Sequence, residues 1–245
     1  MKLHVIDRHL LVELEPEGPG SGTGTGTGTG PEGRGGLALV DTGAPFDIGR
    51  GRAARVLGEE WCPSSEHAAA LDAGEAHLGV ALEWLIGWPT LSRGRLWLDW
   101  SSGRAQLSAS ALALPGATRV PLGFEAKVPR VDAVVGGRAV RVVLDTGAPL
   151  SYVPPAAVAR LTPVRQERDF HPSIGSFDTG VWRLPASVAG RAFEIEAGLL
   201  PPALAPLVTV SGGWILGSDF FKARSVVIDY PGAQLFDAPG GTTAT

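Results

Sequence analysis

Residues 37–45 read Leu-Ala-Leu-Val-Asp-Thr-Gly-Ala-Pro, and residues 142–149 read Val-Val-Leu-Asp-Thr-Gly-Ala-Pro. In both copies a short apolar run, typical of a buried strand, ends at an aspartate that enters a Thr-Gly turn. The two strand ends put Asp41 and Asp145 in equivalent positions. The pattern predicts that their carboxyl groups meet, and paired carboxyl groups can hydrolyse an unreactive bond without a metal or a covalent nucleophile.

A second pair of matching segments follows the two copies. Residues 84–87 read Trp-Leu-Ile-Gly and residues 214–217 read Trp-Ile-Leu-Gly, and an aspartate lies twelve positions after each glycine. The order of strand, Asp-Thr-Gly, variable middle, apolar-apolar-Gly and strand therefore occurs twice, which indicates an internal duplication. The duplication predicts two halves, residues 1–112 and residues 113–245.

The variable middles of the two halves differ in length. The second is longer by a segment at about residues 165–202, in which the alternating stretches 180–184 and 192–196 predict strands of a hairpin. The first middle predicts a helix over residues 64–73. Residues 16–36, which are rich in Gly, Ser and Thr, predict a mobile loop in the first half.

Composition and charge narrow the class of protein. The chain has 245 residues, of which 44% are hydrophobic and 19% charged, as expected for a globular protein with a substantial core. A net charge of −4 without a basic block gives no indication of a nucleic-acid partner. Cys62 is the only cysteine, which favours a reducing compartment. Charges in the first nine residues and the lack of a bilayer-length apolar stretch predict a cytoplasmic protein without a membrane partner.

The residue types around the two aspartates suit general acid–base catalysis. Two carboxyl groups held close together share one proton, so one can activate a water while the other donates to a carbonyl oxygen. Glycine permits a tight turn, and each threonine hydroxyl can form a hydrogen bond to the other copy. Alanine, unlike serine, offers no hydroxyl to stabilise the carboxylate, so we expect activity to be best in weak acid or near neutrality. The supporting residues are Thr42, Gly43, Ala44, Thr146, Gly147 and Ala148, with Gly87 and Gly217 packed behind the turns.

The sequence lacks the motifs for phosphate binding, serine hydrolysis and zinc ligation. The Gly-Thr run has no Gly-Lys-Ser/Thr of a phosphate loop, there is no Gly-x-Ser-x-Gly, and the five histidines lack ligand spacing. Neither a metal nor a cofactor is therefore expected. A third Asp-Thr-Gly, at residues 178–180, has no apolar-apolar-Gly partner at the matching distance and predicts a loop or turn.

These motifs resemble those of the aspartic protease superfamily, in both its retropepsin-like and its pepsin-like members. The resemblance covers residues 10–107 and 128–236 and is closest to a bacterial-style single-chain tandem of retropepsin-like domains. It implies an all-β fold of two retropepsin-like β-barrel lobes related by a pseudo-two-fold axis, with short helices and an active site in the cleft between the lobes. It also implies an aspartic endopeptidase that cleaves peptides or unfolded proteins without a cofactor, with Asp41 and Asp145 as the dyad.

Members of this family cover the cleft with a β-hairpin flap. The first middle is too short for a normal flap, whereas the second has room for one. The resemblance therefore implies a single flap from the second half, with Phe170, His171, Phe177 and Trp182 at its tip or along the cleft wall.

Two alternatives to a monomeric endopeptidase remain open. In one, the C-terminal half forms a homodimer in which two Asp145 residues pair. In the other, the cleft is catalytically silent and binds an extended peptide by adding a strand.

Overall fold

The computed structural model describes residues 1–15, 35–204 and 212–245. These ranges are mostly β-strand with short helices, which confirms the all-β prediction. Most of the predicted Gly-Thr loop lies outside the described residues, and Gly36 at its end already belongs to a strand. The strands are β1 Leu3–Ile6, β2 His9–Leu14, β3 Gly36–Val40, β4 Ile48–Gly49, β5 Ala54–Val56, β6 Glu59–Trp61, β7 Trp84–Ile86, β8 Arg95–Asp99, β9 Arg104–Ser108, β10 Thr118–Pro121, β11 Gly123–Glu125, β12 Val128–Val135, β13 Arg138–Leu144, β14 Ser151–Tyr152, β15 Arg165–His171, β16 Gly175–Val188, β17 Arg191–Gly198, β18 Ile215–Leu216, β19 Arg224–Asp229 and β20 Gln234–Pro239. The helices are α1 Ala69–Leu78, α2 Trp88–Leu91, α3 Pro155–Val158 and α4 Ser218–Phe221.

The first sheet brings the first Asp-Thr-Gly turn next to the first apolar-apolar-Gly segment. Its strand order is β1-β2-β3-β7-β4. β3 and β7 are parallel, with Val40 opposite Ile86, and β4 is antiparallel to β7. The Asp41 amide continues this ladder by donating to the Ile86 carbonyl at 3.0 Å. The first Asp-Thr-Gly turn therefore begins where β3 lies directly beside β7.

The second sheet repeats this arrangement within a larger set of strands. Its order is β11-β12-β13-β18-β14-β17-β16-β15. β13 and β18 are parallel, with Leu144 opposite Leu216, and the Asp145 amide donates to the Leu216 carbonyl at 2.9 Å. β14 is antiparallel to β18 and parallel to β17. The strands β15 to β17 form the extra segment predicted in the second middle.

A third sheet, of order β10-β20-β19-β8-β9, contains strands from both predicted halves. β8 and β19 lie antiparallel at its centre, with Trp97 opposite Val227, each ten positions after its glycine in the apolar-apolar-Gly segment. Beside this sheet, the backbones of Ala113 and Thr245 exchange two hydrogen bonds of 2.8 and 2.9 Å.

The main core also includes side chains from both halves. Trp84 and Leu96 from the first half lie in the same buried cluster as Val142, Phe220 and Val226 from the second. Burial of such large apolar side chains is the main favourable term in folding. The division at residues 112 and 113 stays a prediction, since this core is shared.

Two local predictions need correction. The first helix begins at Ala69, not at residue 64, and ends before Gly79, which adopts the left-handed conformation at φ 69°. The third Asp-Thr-Gly is not a turn, because Asp178 pairs with Arg168 inside the β15–β16 hairpin. Among the described residues, none of the helices combines the length and apolar character that crossing a bilayer requires.

Candidate active site

The two aspartates lie against each other's turns. The Gly43 amide donates to Oδ1 of Asp41 at 2.9 Å, and the Gly147 amide donates to Oδ1 of Asp145 at 2.8 Å. A Cβ atom on Gly43 would lie 2.5 Å from Cγ of Asp145, and one on Gly147 would lie 2.6 Å from Cγ of Asp41. Only glycine therefore lets each turn approach the carboxyl group of the other half this closely.

The two threonines connect the turns by hydrogen bonds in both directions. Each amide donates to the hydroxyl oxygen of the other threonine, Thr42 to Thr146 and Thr146 to Thr42, at 3.0 Å. The Thr42 hydroxyl donates to the Leu144 carbonyl at 2.7 Å, and the Thr146 hydroxyl donates to the Val40 carbonyl at 2.6 Å. Both threonines are buried. Four buried hydrogen bonds thus fix the spacing of the two aspartates.

Gly87 and Gly217 allow the apolar-apolar-Gly segments to pack directly on the backbone behind each turn. A Cβ atom on Gly87 would overlap the carbonyl oxygen of Phe46, and one on Gly217 would overlap that of Leu150. Any larger residue would push the turn out of place.

Ala44 and Ala148 complete each turn. Both are buried, and their carbonyl oxygens accept hydrogen bonds of 2.9 Å from the amides of Trp88 and Ser218. Their methyl groups line the cavity described below and offer no hydroxyl to either carboxyl group.

A difference between the halves appears two residues beyond each Asp-Thr-Gly-Ala-Pro. Asp47 accepts hydrogen bonds from the Gly87 amide at 2.7 Å and the Thr90 hydroxyl at 2.6 Å. At the equivalent position, the Ser151 hydroxyl accepts one hydrogen bond within the part of the chain that the structure describes, from the Gly217 amide at 3.2 Å. Burial raises the pKa of Asp47 above the ordinary aspartate value. The sequence analysis missed this residue, which an alignment of the two copies would have found.

The two carboxyl groups lie within range of each other's charge. Burial raises the pKa of Asp41 well above its ordinary value, and the charge of Asp145 raises it further. Burial also raises the pKa of Asp145, against the hydrogen bond from the Gly147 amide. The carboxyl groups lie deep in the protein, yet each residue keeps part of its surface open to a cavity.

A cavity of about 410 Å³ has the two aspartates in its floor. Its walls are mainly apolar and come from both halves of the chain. The wall residues include Phe46, Ile48 and Leu85 from the first half and Val128, Tyr152 and Ile215 from the second. This volume and lining are typical of a pocket that binds an organic ligand or a short stretch of peptide.

The β15–β16 hairpin contributes one side of the cavity. Phe170, His171 and Phe177 line it, and their role in a flap stays a prediction. Trp182 does not, because it lies further along β16, opposite Ala197, where the hairpin joins the eight-stranded sheet. It is buried in the main core, so its assignment to the cleft wall is corrected.

The same hairpin contacts the first half outside the cavity. The His77 ring of α1 stacks on Phe170, with centroids 4.9 Å apart and an angle of 16° between the rings. Arg8, in the turn between β1 and β2, forms ion pairs with Glu167 and, at 3.5 Å, with Glu196. The hairpin, which belongs to the second half, is therefore also in contact with the first half.

Within the described ranges, no group of three or more His, Cys, Asp or Glu side chains is placed to hold a metal ion. No family model matches the chain, and no curated protein sequence matches it. Among solved structures, one that matches is the solution structure of Simian Foamy Virus (mac) protease. The matched region spans 33% of this chain and 94% of the viral protease chain, with 24% sequence identity and a TM-score of 0.25. The likeness is distant and covers a minor part of the chain.

Proposed function

We propose that the protein is an aspartic endopeptidase whose dyad is Asp41 and Asp145. The observation that supports this most directly is geometric: the carboxyl groups of Asp41 and Asp145 each lie against the other half's Thr-Gly turn, in the floor of a largely apolar cavity. A buried acidic pair that only stabilised the fold would be unusual, because burying carboxylates is unfavourable unless they are paired with cations or neutralised. Perturbed carboxyl groups in a cleft are typical of catalytic sites.

In the proposed reaction, the dyad carries one proton and binds a water between its carboxyl groups. The ionised carboxyl takes a proton from the water as the water oxygen attacks the peptide carbonyl carbon. The protonated carboxyl donates to the carbonyl oxygen, giving a tetrahedral diol. The carboxyl group that took the water proton then donates it to the amide nitrogen, and the C–N bond breaks. The other carboxyl group takes a proton from a diol hydroxyl as the acid product forms, so the dyad again carries one proton.

We further propose that the halves are lobes related by a pseudo-two-fold axis, with the cleft between them. The equivalent contacts of the two turns support this, as does the pairing of Trp97 with Val227 across the third sheet. The substrate is then an extended peptide or unfolded protein that lies in the cavity beneath the β15–β16 hairpin, which serves as the single flap. The apolar walls of the cavity favour substrates with large apolar side chains at the scissile bond.

The homodimer alternative has less support. Asp145 is already in contact with Asp41 of the same chain, and the threonine hydrogen bonds join the two turns within one chain. A monomer is therefore the form that we propose to be active. A silent peptide-binding cleft has the same geometry and is separated from the protease by turnover alone.

The test is cleavage of an unfolded protein mixture from about pH 4 to about pH 8, the range in which a dyad with raised pKa values keeps its single proton. Wild type should cleave, and both Asp41→Asn and Asp145→Asn should lose cleavage by at least about a thousandfold. The matched control is Asp178→Asn, which changes an exposed aspartate in the third Asp-Thr-Gly and should leave cleavage unchanged.

Three other outcomes would contradict the proposal. Activity that survives Asp41→Asn and rises with protein concentration would indicate the homodimer. Binding of peptides without turnover by wild type would indicate the silent cleft. An optimum below about pH 3 would indicate a dyad with depressed pKa values.

A further inference from the structure

Tyr152 and Asp169 connect the strand after the second catalytic turn to the first strand of the flap hairpin. The Tyr152 hydroxyl donates a hydrogen bond to Oδ2 of Asp169, and the Phe170 amide donates to Oδ1 of the same carboxylate at 2.7 Å. We propose that Tyr152 and Asp169 are a positioning pair that holds the flap hairpin over the dyad. The inference deepens the proposed function and rests on it for its kinetic part.

Each of the two residues lies on a strand, β14 or β15, that contributes to the cavity wall. Tyr152 lies seven positions after Asp145, on β14, and its ring lines the cavity. Asp169 lies on β15, directly before the cavity-lining Phe170 and His171. A displacement of either residue therefore moves a cavity wall relative to the dyad.

Because both side chains are buried, the hydrogen bond between Tyr152 and Asp169 is not easily replaced by one to water. Tyr152 is 5% exposed and Asp169 is 3% exposed, so water has little access to replace the phenol as a donor. A buried carboxylate oxygen without a donor is strongly unfavourable. Burial also raises the pKa of Tyr152, with the charge of Asp169 acting in the same direction, so the phenol keeps its proton. Without the Tyr152 hydroxyl, the Asp169 carboxylate lacks this donor in the closed structure. Opening of the hairpin then becomes more favourable, because it lets water solvate the carboxylate.

The first half provides an internal comparison. The residue seven positions after Asp41 is Ile48, whose side chain has no polar atom. Between its two motifs the first half has α1 and the short β5–β6 hairpin, and no residue of that hairpin lines the cavity. The phenol therefore occurs in the half whose hairpin lines the cavity.

The experiment measures hydrogen–deuterium exchange and kinetics of Tyr152→Phe. Amides of residues 165–177 should exchange about tenfold faster than in wild type, the factor that corresponds to 1.4 kcal/mol. Amides of β8 and β19, in the third sheet, should be unchanged. With a peptide substrate, KM should rise about tenfold while kcat changes less than about threefold, because the flap contributes to binding.

Tyr230→Phe is the matched control. Tyr230 is also buried, but among the described residues its hydroxyl has no hydrogen-bond partner. Tyr230→Phe should leave flap exchange unchanged. Asp169→Asn keeps an acceptor for the phenol and should have a smaller effect than Tyr152→Phe, and the double variant should fall short of the sum of the two effects.

Unchanged flap exchange in Tyr152→Phe would overturn the inference, and so would equal acceleration of the flap and the third sheet, which would indicate general destabilisation. These outcomes are separate from failure of the proposed function. If wild type does not cleave peptides, the exchange measurement still tests whether Tyr152 and Asp169 hold the hairpin.

Discussion

The turn after β3 and the turn after β13 have the same five residues, yet the residues that follow them have different surroundings. In the first half, Phe46 is 41% exposed at the cavity and Ile48 packs against apolar neighbours. In the second half, Leu150 is fully buried and Tyr152 is hydrogen-bonded to the hairpin. The turns themselves keep matching contacts, because the threonine hydrogen bonds act on both halves equally. Only the second half has a residue at this position that holds the β15–β16 hairpin.

The largest effects should be equal in the two halves and come from the glycines behind the turns. Gly87→Ala and Gly217→Ala should each lower the free energy of unfolding by more than about 4 kcal/mol, because the new Cβ would overlap backbone oxygens that cannot move alone. Denaturant unfolding followed by circular dichroism measures this.

Gly74→Ala, in α1, is the control for these glycine variants. Its Cβ would meet only the end of the Leu82 side chain, at 3.0 Å, and alanine favours a helix by about 1 kcal/mol. If Gly87→Ala unfolds at the same denaturant concentration as Gly74→Ala, the close packing behind the turn is not as described.

The threonine hydrogen bonds should give the next largest effect, again equal in both halves. Thr42→Val and Thr146→Val keep the side-chain shape but leave a buried carbonyl and a buried amide unpaired, which should lower the free energy of unfolding by about 2–4 kcal/mol each. The same unfolding measurement applies, with Thr118→Val, at an exposed site on β10, as a control that should change stability by less than about 0.5 kcal/mol. A difference of more than about 2 kcal/mol between the two variants would break the equivalence of the turns.

The residues behind the turns should show the first difference between the halves. Asp47→Ala leaves three donors unpaired, the Gly87 amide, the Thr90 hydroxyl and the Trp61 indole N–H, and should lower the free energy of unfolding by about 2–3 kcal/mol. Ser151→Ala leaves one unpaired amide and should lower it by about 1 kcal/mol. Asp47→Asn, which keeps an acceptor, should fall between wild type and Asp47→Ala; a larger loss for Ser151→Ala than for Asp47→Ala contradicts this ranking.

The smallest effect should be a gain in stability from the dyad. The pKa of Asp41 is raised in the folded protein, so the protonated form is favoured there. The stability from this site is present below the unfolded pKa near 4 and is lost as pH rises through the folded pKa. Asp41→Asn should therefore unfold at a higher temperature than wild type at pH 7, and this gain should shrink below about pH 4.

Thermal unfolding from about pH 3 to about pH 8 checks this prediction and compares the halves. Asp145→Asn should gain in the same direction, because burial raises the pKa of Asp145 as well. A loss of stability in Asp41→Asn at pH 7 would mean that the pair stabilises the fold when ionised.

Much of the site could be read from repeated residues, because a repeat marks positions whose backbone geometry tolerates few alternatives. Gly87 and Gly217 are examples, since each lies where a Cβ would overlap a carbonyl oxygen. Residues that occur once were harder to place. Trp182 looked like a cleft residue because it is aromatic and lies in the extra segment, but its register opposite Ala197 directs it into the core.

The sequence by itself determined the all-β class, the two Asp-Thr-Gly strand ends and the extra hairpin of the second half, because short-range patterns of apolar residues and glycines set these features. The tertiary structure alone decided that Asp41 and Asp145 lie against each other's turns, that Asp47 accepts the Gly87 amide, and that Tyr152 reaches Asp169 on the hairpin. These contacts join residues far apart in the chain or in different strands. Their geometry follows from sheet order and register, which local sequence patterns do not specify.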